Sequence, residues 1–167
     1  MVGYYEQAAG ADTVGFLCSN DDWGFNTQTF LSPAHMRKYV FPWHKKIVET
    51  AHRHGKPCIL HSCGYFGDVI EDVIEEIGFD GRHSYEDQIM PVEDAYEAYG
   101  HRIVIMGGMD MHFLATASPE EVYARSRAML ERTAERGRYV LGSGNSIPGY
   151  VPVRNFLAMT KAALDMD

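Results

Sequence analysis

The chain has 167 residues, 46% of them hydrophobic and 23% charged, which is enough apolar material for one buried core and too much for a disordered polymer. A formal charge of -8 works against nucleic-acid and anionic-membrane surfaces, since both need clustered Lys and Arg to neutralise phosphate. No apolar run approaches the roughly 20 residues that a bilayer-crossing helix requires, and an odd number of cysteines, with no secretory leader pattern at the start, predicts a reducing, cytoplasmic setting without disulfides.

Residues 1–12 read as the end of a helix stopped at Gly10, leading into a strand over 13–18. The stretch 19–31 is polar, aromatic and aperiodic, the mark of a loop at that strand's carboxyl end. Ser32-Pro33 then supplies an N-cap with proline at the first helical position, and a helix is expected up to His54, before Gly55. Pro42 inside it predicts a kink or a break. His35, His44, His52 and His54 fall on what reads as an outer, solvated helix surface.

A Gly-Lys-Pro turn at 55–57 leads into an apolar strand, 58–60, which delivers His61, Ser62, Cys63 and Gly64 at its carboxyl end. Residues 68–77 have the apolar and acidic alternation of an amphipathic helix, ended by Gly78. Short strands follow over 79–83, 101–106 and 138–141, separated by helices over 91–99 and from 118 to about 137. Ser118, Pro119 and Glu121 form a capping-box signature. A closing helix is expected over 153–166. Cys18 and Cys58, inside apolar strands, read as core cysteines.

Five strands alternating with helices, without a linker or a repeat, predict a single α/β domain over 1–167 with a parallel sheet. Polar residues suited to chemistry follow every strand, the position active sites occupy in parallel α/β folds. His61 and Cys63 are the sharpest pair. Residues two apart in a strand share a side, so an imidazole and a thiol can face one point, and that donor pair suits zinc. A buried pair without metal is the plain alternative. Asp21, Asp22 and Trp23 are candidates for contacts to substrate hydroxyls or to a metal-bound ligand, although Asp-Asp-x-Gly is also ordinary turn chemistry. Glu86 and Asp110 are candidate catalytic carboxylates, the plain alternatives being a solvated loop around Glu86 and satisfied turn amides at Asp110, and Glu86, Asp110, Asp21 or Asp22 could complete the metal site, with Glu86 favoured. Asn145 and Tyr150 are candidate substrate contacts, because Gly142 and Gly144 allow a ligand close to the backbone. His83 precedes its strand end and is expected to point away.

The segments AGAD at 9–12, YVFPWHKKIVE at 39–49, HSCG at 61–64, the GGMD turn, SPEEV at 118–122 and LGSGNSIPGYVPVRNFLAM at 141–159 resemble, in order and spacing, the uroporphyrinogen decarboxylase superfamily. That superfamily includes cobalamin-dependent methyltransferases. The resemblance implies the carboxyl-terminal part of an eight-stranded (β/α) barrel of roughly twice this length. About five βα units cannot close such a barrel, so an open sheet edge inviting self-association is expected.

His-x-Cys resembles the methyltransferase branch, in which zinc activates a thiol and a corrinoid, methylcobalamin or a corrinoid protein, is the methyl-carrying cofactor or partner. Decarboxylases of the superfamily usually lack it and carry Gly-His-Gly where this chain has Gly144-Asn145-Ser146. The methyltransferases generally draw a further ligand, often cysteine, from the last loop, which here offers Ser143, Asn145 and Ser146. The expected function is therefore zinc-dependent methyl transfer between a corrinoid and a thiol or similar nucleophile. Uroporphyrinogen decarboxylation is the alternative enzyme reading, and an inactive fragment or binding module is the alternative from another class.

Overall fold

Buried and exposed residues alternate along the first strand, β1 (Leu17–Asn20), and this alternation decides which of its side chains reach the site. The protein is described by a computed structural model covering residues 1–166. The chain divides into two units, Met1–His83 and the residues from Ser84 onward.

The first unit runs α1 (Val2–Ala9), β1, α2 (Pro33–Tyr39), α3 (Phe41–Arg53), β2 (Cys58–His61), a helical stretch over 67–77, and β3 (Gly81–His83). β1 pairs in parallel with β2, and β2 with β3. The register sets Asn20 beside His61 and His61 beside His83, so these three residues form a row across one face at the strands' carboxyl ends. The opposite face carries Leu17, Ser19, Cys58, Leu60 and Arg82, all buried. Helix α3 covers β1 and β2 with Phe41, His44, Ile47, Val48 and Ala51, spaced three or four apart as one helical stripe. Burying a side chain the size of Ile47 or Val48 contributes about 1.5–3 kcal/mol.

Proline punctuates this unit as the sequence predicts. Ser32 caps α2, its Oγ accepting from the His35 amide at 3.4 Å, and the helix ends at Tyr39. Pro42, which has no N–H and would crowd the carbonyl four residues back, sits in the first turn of a new helix rather than in the middle of one. Two expectations are corrected. The first strand lies at 17–20, because its ladder begins only where the Leu17 amide meets the Pro57 carbonyl at 2.9 Å. The stretch 67–77 is not a regular α-helix but a 3-10 turn followed by π-wound Asp72–Ile77. Its buried residues Val69, Val73 and Ile77 recur every four positions, a repeat that wider winding keeps on one face. Gly78, at φ 80°, closes it.

Arg82 is fully buried, its guanidinium 3.7 Å from the centre of the Phe66 ring and donating from Nη2 to the Ser62 carbonyl at 3.1 Å. Nothing in the sequence marked it as a core residue.

The second unit contains α4 (Val92–Tyr99), β4 (Val104–Met106), α5 (Met111–Thr116), α6 (Pro119–Thr133), β5 (Tyr139–Val140) and α7 (Val153–Leu164). β4 and β5 pair in parallel, with Ile105 beside Tyr139. The capping box at α6 is complete: Ser118 Oγ accepts from the Glu121 amide and Glu121 Oε2 from the Ser118 amide. Helix α5 is an addition to the sequence reading, stabilised from both ends. Asp110 caps its start, and Asn155 Nδ2 donates to the Leu114 and Ala117 carbonyls at 2.9 and 2.8 Å at its carboxyl end. Among the described residues, no helix is long and apolar enough to cross a membrane.

Candidate metal centre

The side-chain row Asn20, His61, His83 continues upward by the same alternation. Two residues past Asn20 lies Asp22, and two past His61 lies Cys63. Backbone bonds extend the ladder into this region: the Asp21 amide donates to the His61 carbonyl at 3.1 Å and the Ser62 amide to the His83 carbonyl at 2.7 Å. As a result one ligand atom each from Asp22, His61 and Cys63 lies within 4.8 Å of the other two. This is the one set of three such donors among the described residues.

Nε2 of His61 lies 3.7 Å from Cys63 Sγ, so it is the ring nitrogen facing the thiol. The other nitrogen, Nδ1, is 2.6 Å from Nδ1 of His83, and the two rings stack with centroids 4.8 Å apart. His83 therefore points toward His61, not away as its position in the sequence suggested. Asp22 is held by its own neighbour in the cluster, Oδ1 accepting from the Cys63 amide at 3.0 Å. Sulfur, nitrogen and oxygen donors at this spacing fit zinc, which takes all three and imposes no ligand-field geometry.

A partly buried relay through Asp21, itself exposed, holds the loop that carries Asp22. Asp21 Oδ2 accepts from Trp23 Nε1 at 3.0 Å and lies 3.1 Å from His44 Nε2, while His44 Nδ1 is 3.1 Å from Ser19 Oγ. Burial pushes the His44 pKa down, with Asp21 opposing, and favours the neutral ring. A neutral His44 donates to Asp21 and accepts from the Ser19 hydroxyl. The helix surface expected to be solvated is thus partly buried: His44 is 5% exposed, whereas His35, His52 and His54 are exposed. His52 pairs with Asp80 at 2.8 Å and His54 with Glu6 at 3.0 Å.

Several sequence assignments change with these contacts. Trp23, a candidate substrate contact, is a core residue, 4% exposed and packed on Phe41 and His44 with ring centroids 5.2 and 5.0 Å away. Cys18, expected in the core, is exposed and donates from Sγ to Asn20 Oδ1 at 3.2 Å. Cys58 is buried as expected, and burial, reinforced by the Asp80 charge, pushes its thiol up to about 12.

In the second unit, Asp110 caps α5, Oδ1 accepting from the His112 and Phe113 amides at 2.7 and 3.1 Å and Oδ2 from the Asp87 amide at 3.1 Å. These bonds fix the turn that leads into α5. Glu86 opens a turn, its carbonyl accepting from the Ile89 and Met90 amides at 2.9 Å each, and its side chain is half-buried. Asn145 Oδ1 accepts from the Ser146 amide at 2.7 Å, and Tyr150 is 70% exposed. Asp22, not Glu86, is the carboxylate in the three-donor set.

Comparison with known proteins adds three findings. The model of the family described as uroporphyrinogen decarboxylase (URO-D) matches residues 7–166. A uroporphyrinogen decarboxylase of Shewanella loihica is 27% identical over 99% of this chain and 45% of its own length, and one of Geobacter sulfurreducens is 26% identical over 92% and 42%. A solved methyltransferase from Methanosarcina mazei shares the fold with a TM-score of 0.74 at 22% identity, over 98% of this chain and 45% of that one. The chain thus spans about half the length of the relatives it matches, and its fold class is that expected: α/β, with parallel strands, part of a (β/α) barrel.

Proposed function

The chain belongs to the uroporphyrinogen decarboxylase family, and from that premise we propose that it serves zinc-dependent methyl transfer between a corrinoid and a thiol or similar soft nucleophile. The observation that carries this reading is the convergence of Asp22, His61 and Cys63 on one point. Zinc held there would lower the pKa of an incoming thiol and keep it as the more nucleophilic thiolate. The chain's own residues do the rest. With zinc bound, Cys63 would supply its sulfur as thiolate and His61 its Nε2 lone pair. Asp22, anchored by the Cys63 amide at 3.0 Å, brings an oxygen within reach of both. The fold shared with a methyltransferase supports the same direction.

Elemental analysis of the purified chain tests the reading. Zinc should be bound by the wild type and lost from the double variant His61→Ala, Cys63→Ala; unchanged zinc in the variant would end the proposal.

A second reading, decarboxylation of uroporphyrinogen, is favoured by both sequence relatives, each a uroporphyrinogen decarboxylase. The two separate on chelation. Release of carbon dioxide from uroporphyrinogen that survives zinc removal supports decarboxylation, whereas a thiol methylation that disappears on zinc removal supports methyl transfer.

A further inference from the structure

We propose that His83 is a positioning residue for the metal centre: it holds His61 in the tautomer protonated at Nδ1, which leaves the Nε2 lone pair directed at the space shared with Cys63 and Asp22. The inference rests on the reading of Asp22, His61 and Cys63 as metal ligands.

It begins with strand register. β2 and β3 are parallel and set His61 directly beside His83, so both rings leave the same face of adjacent strands. At that spacing the rings stack, 28° from parallel, and their Nδ1 atoms meet at 2.6 Å. Two ring nitrogens that close share one proton; if both carried hydrogen they would clash, and if neither did, two lone pairs would face each other. One of the rings must therefore donate.

The rest of the cluster decides which. Nε2 of His61 faces Cys63 Sγ at 3.7 Å, with Asp22 in the same set. A ligand nitrogen must present a lone pair, so the proton of a neutral His61 belongs on Nδ1, and His83 Nδ1 is its acceptor. His83 then carries its own hydrogen on Nε2. A free imidazole in water prefers the opposite arrangement, with hydrogen on the nitrogen remote from the backbone, so the acceptor changes which state dominates. The Ser62 amide, bonded to the His83 carbonyl at 2.7 Å, fixes the spacing of the two strands where the rings meet.

The test uses the whole chain with two variants. His83→Phe keeps a ring of similar size in the stack and removes the acceptor; His83→Gln restores an acceptor oxygen. Nitrogen-15 spectra of the metal-free protein should show His61 protonated at Nδ1 in the wild type, a tautomer mixture in His83→Phe, and recovery in His83→Gln. Zinc affinity, measured by competition with a chelating dye, should fall about 10–100-fold in His83→Phe and largely return in His83→Gln. A wild-type His61 protonated at Nε2, or a His83→Phe variant with unaltered tautomer and affinity, would overturn the inference. So would X-ray absorption showing that the zinc of the wild type loses a directly bound imidazole in His83→Phe. A wild type that takes up no zinc yet keeps the Nδ1–H tautomer would remove the metal reading and leave the His83 contact standing.

Discussion

A Cβ placed on Gly64 would lie 2.0 Å from the carbonyl oxygen of Gly24 and 2.3 Å from its carbonyl carbon. Gly64 also has φ +85°, a conformation that L side chains rarely adopt. Gly24 is also confined, since a Cβ there would meet the Tyr65 carbonyl oxygen at 2.8 Å. The two glycines let the loop after β1 lie directly on the loop after β2, joined by the Tyr65 amide donating to the Phe25 carbonyl at 2.7 Å. Close backbone contact is what brings Asp22 to Cys63.

Gly64→Ala is therefore expected to destabilise the fold by more than about 2 kcal/mol and to weaken zinc uptake, because the obstructing atoms are backbone and cannot swing aside. Chemical denaturation and zinc titration measure both effects. A variant with wild-type stability would show that the loops do not need this contact.

Asp22 and Glu86 divide the carboxylate question between them. Asp22→Ala should lower zinc affinity at least tenfold, since an oxygen donor leaves the set, whereas Glu86→Gln should leave zinc stoichiometry and affinity unchanged. Calorimetric titration of the two variants reads the difference directly. The opposite pattern would return the third ligand to Glu86.

Arg125 grips two carboxylates in the second unit, Asp87 at 2.7 and 2.8 Å and Glu93 at 2.8 and 2.9 Å. Burial alone would raise the Glu93 pKa, but the Arg125 hydrogen bonds and charge outweigh it and leave the carboxyl below its usual value of 4.5. A group with a lowered folded-state pKa adds stability above its unfolded value, and that stability disappears as pH falls through the folded one. Arg125→Met should thus cost roughly 2 kcal/mol at neutral pH, less than a fully buried pair because all three side chains keep some water. The deficit should shrink as pH falls below 4.5 and through the lowered folded-state pKa of Glu93. Urea denaturation at the two pH values is the check, and a deficit independent of pH would contradict it.

The cysteines should separate by reagent. Cys58, fully buried with its thiol pushed up to about 12, should resist alkylation in the folded state with or without metal. Cys63, partly exposed at the cluster, should be alkylated in the metal-free protein and protected by zinc. Mass mapping after brief iodoacetamide treatment distinguishes them. Equal labelling of Cys63 in both states would argue against its role as a ligand.

Local signals were legible in the amino-acid sequence because their cause is local. Proline at 42 stops one helix and starts another whatever surrounds it, the Ser118 box caps α6 within four residues, and Gly78 closes its helix by adopting positive φ. The strand ending in His61 was legible for the same reason, and with it the pairing of His61 and Cys63 on one side.

Which residues join that pair depended on register and on which sheet face the helices cover, and neither is written in a local pattern. A strand displaced by one residue turns every side chain to the other face. Cys18 is therefore exposed although it follows the apolar Phe16 and Leu17, His44 is buried although its helix looked solvated, and His83 meets His61 although its position suggested otherwise. By itself the sequence determined the α/β class, the order of most elements and the placing of His61 and Cys63 on one side of a strand end, through propensity and short-range spacing. Only the tertiary structure brought Asp22 to that pair, buried Trp23 and set His83 against His61, because each rests on backbone segments far apart in the chain lying side by side.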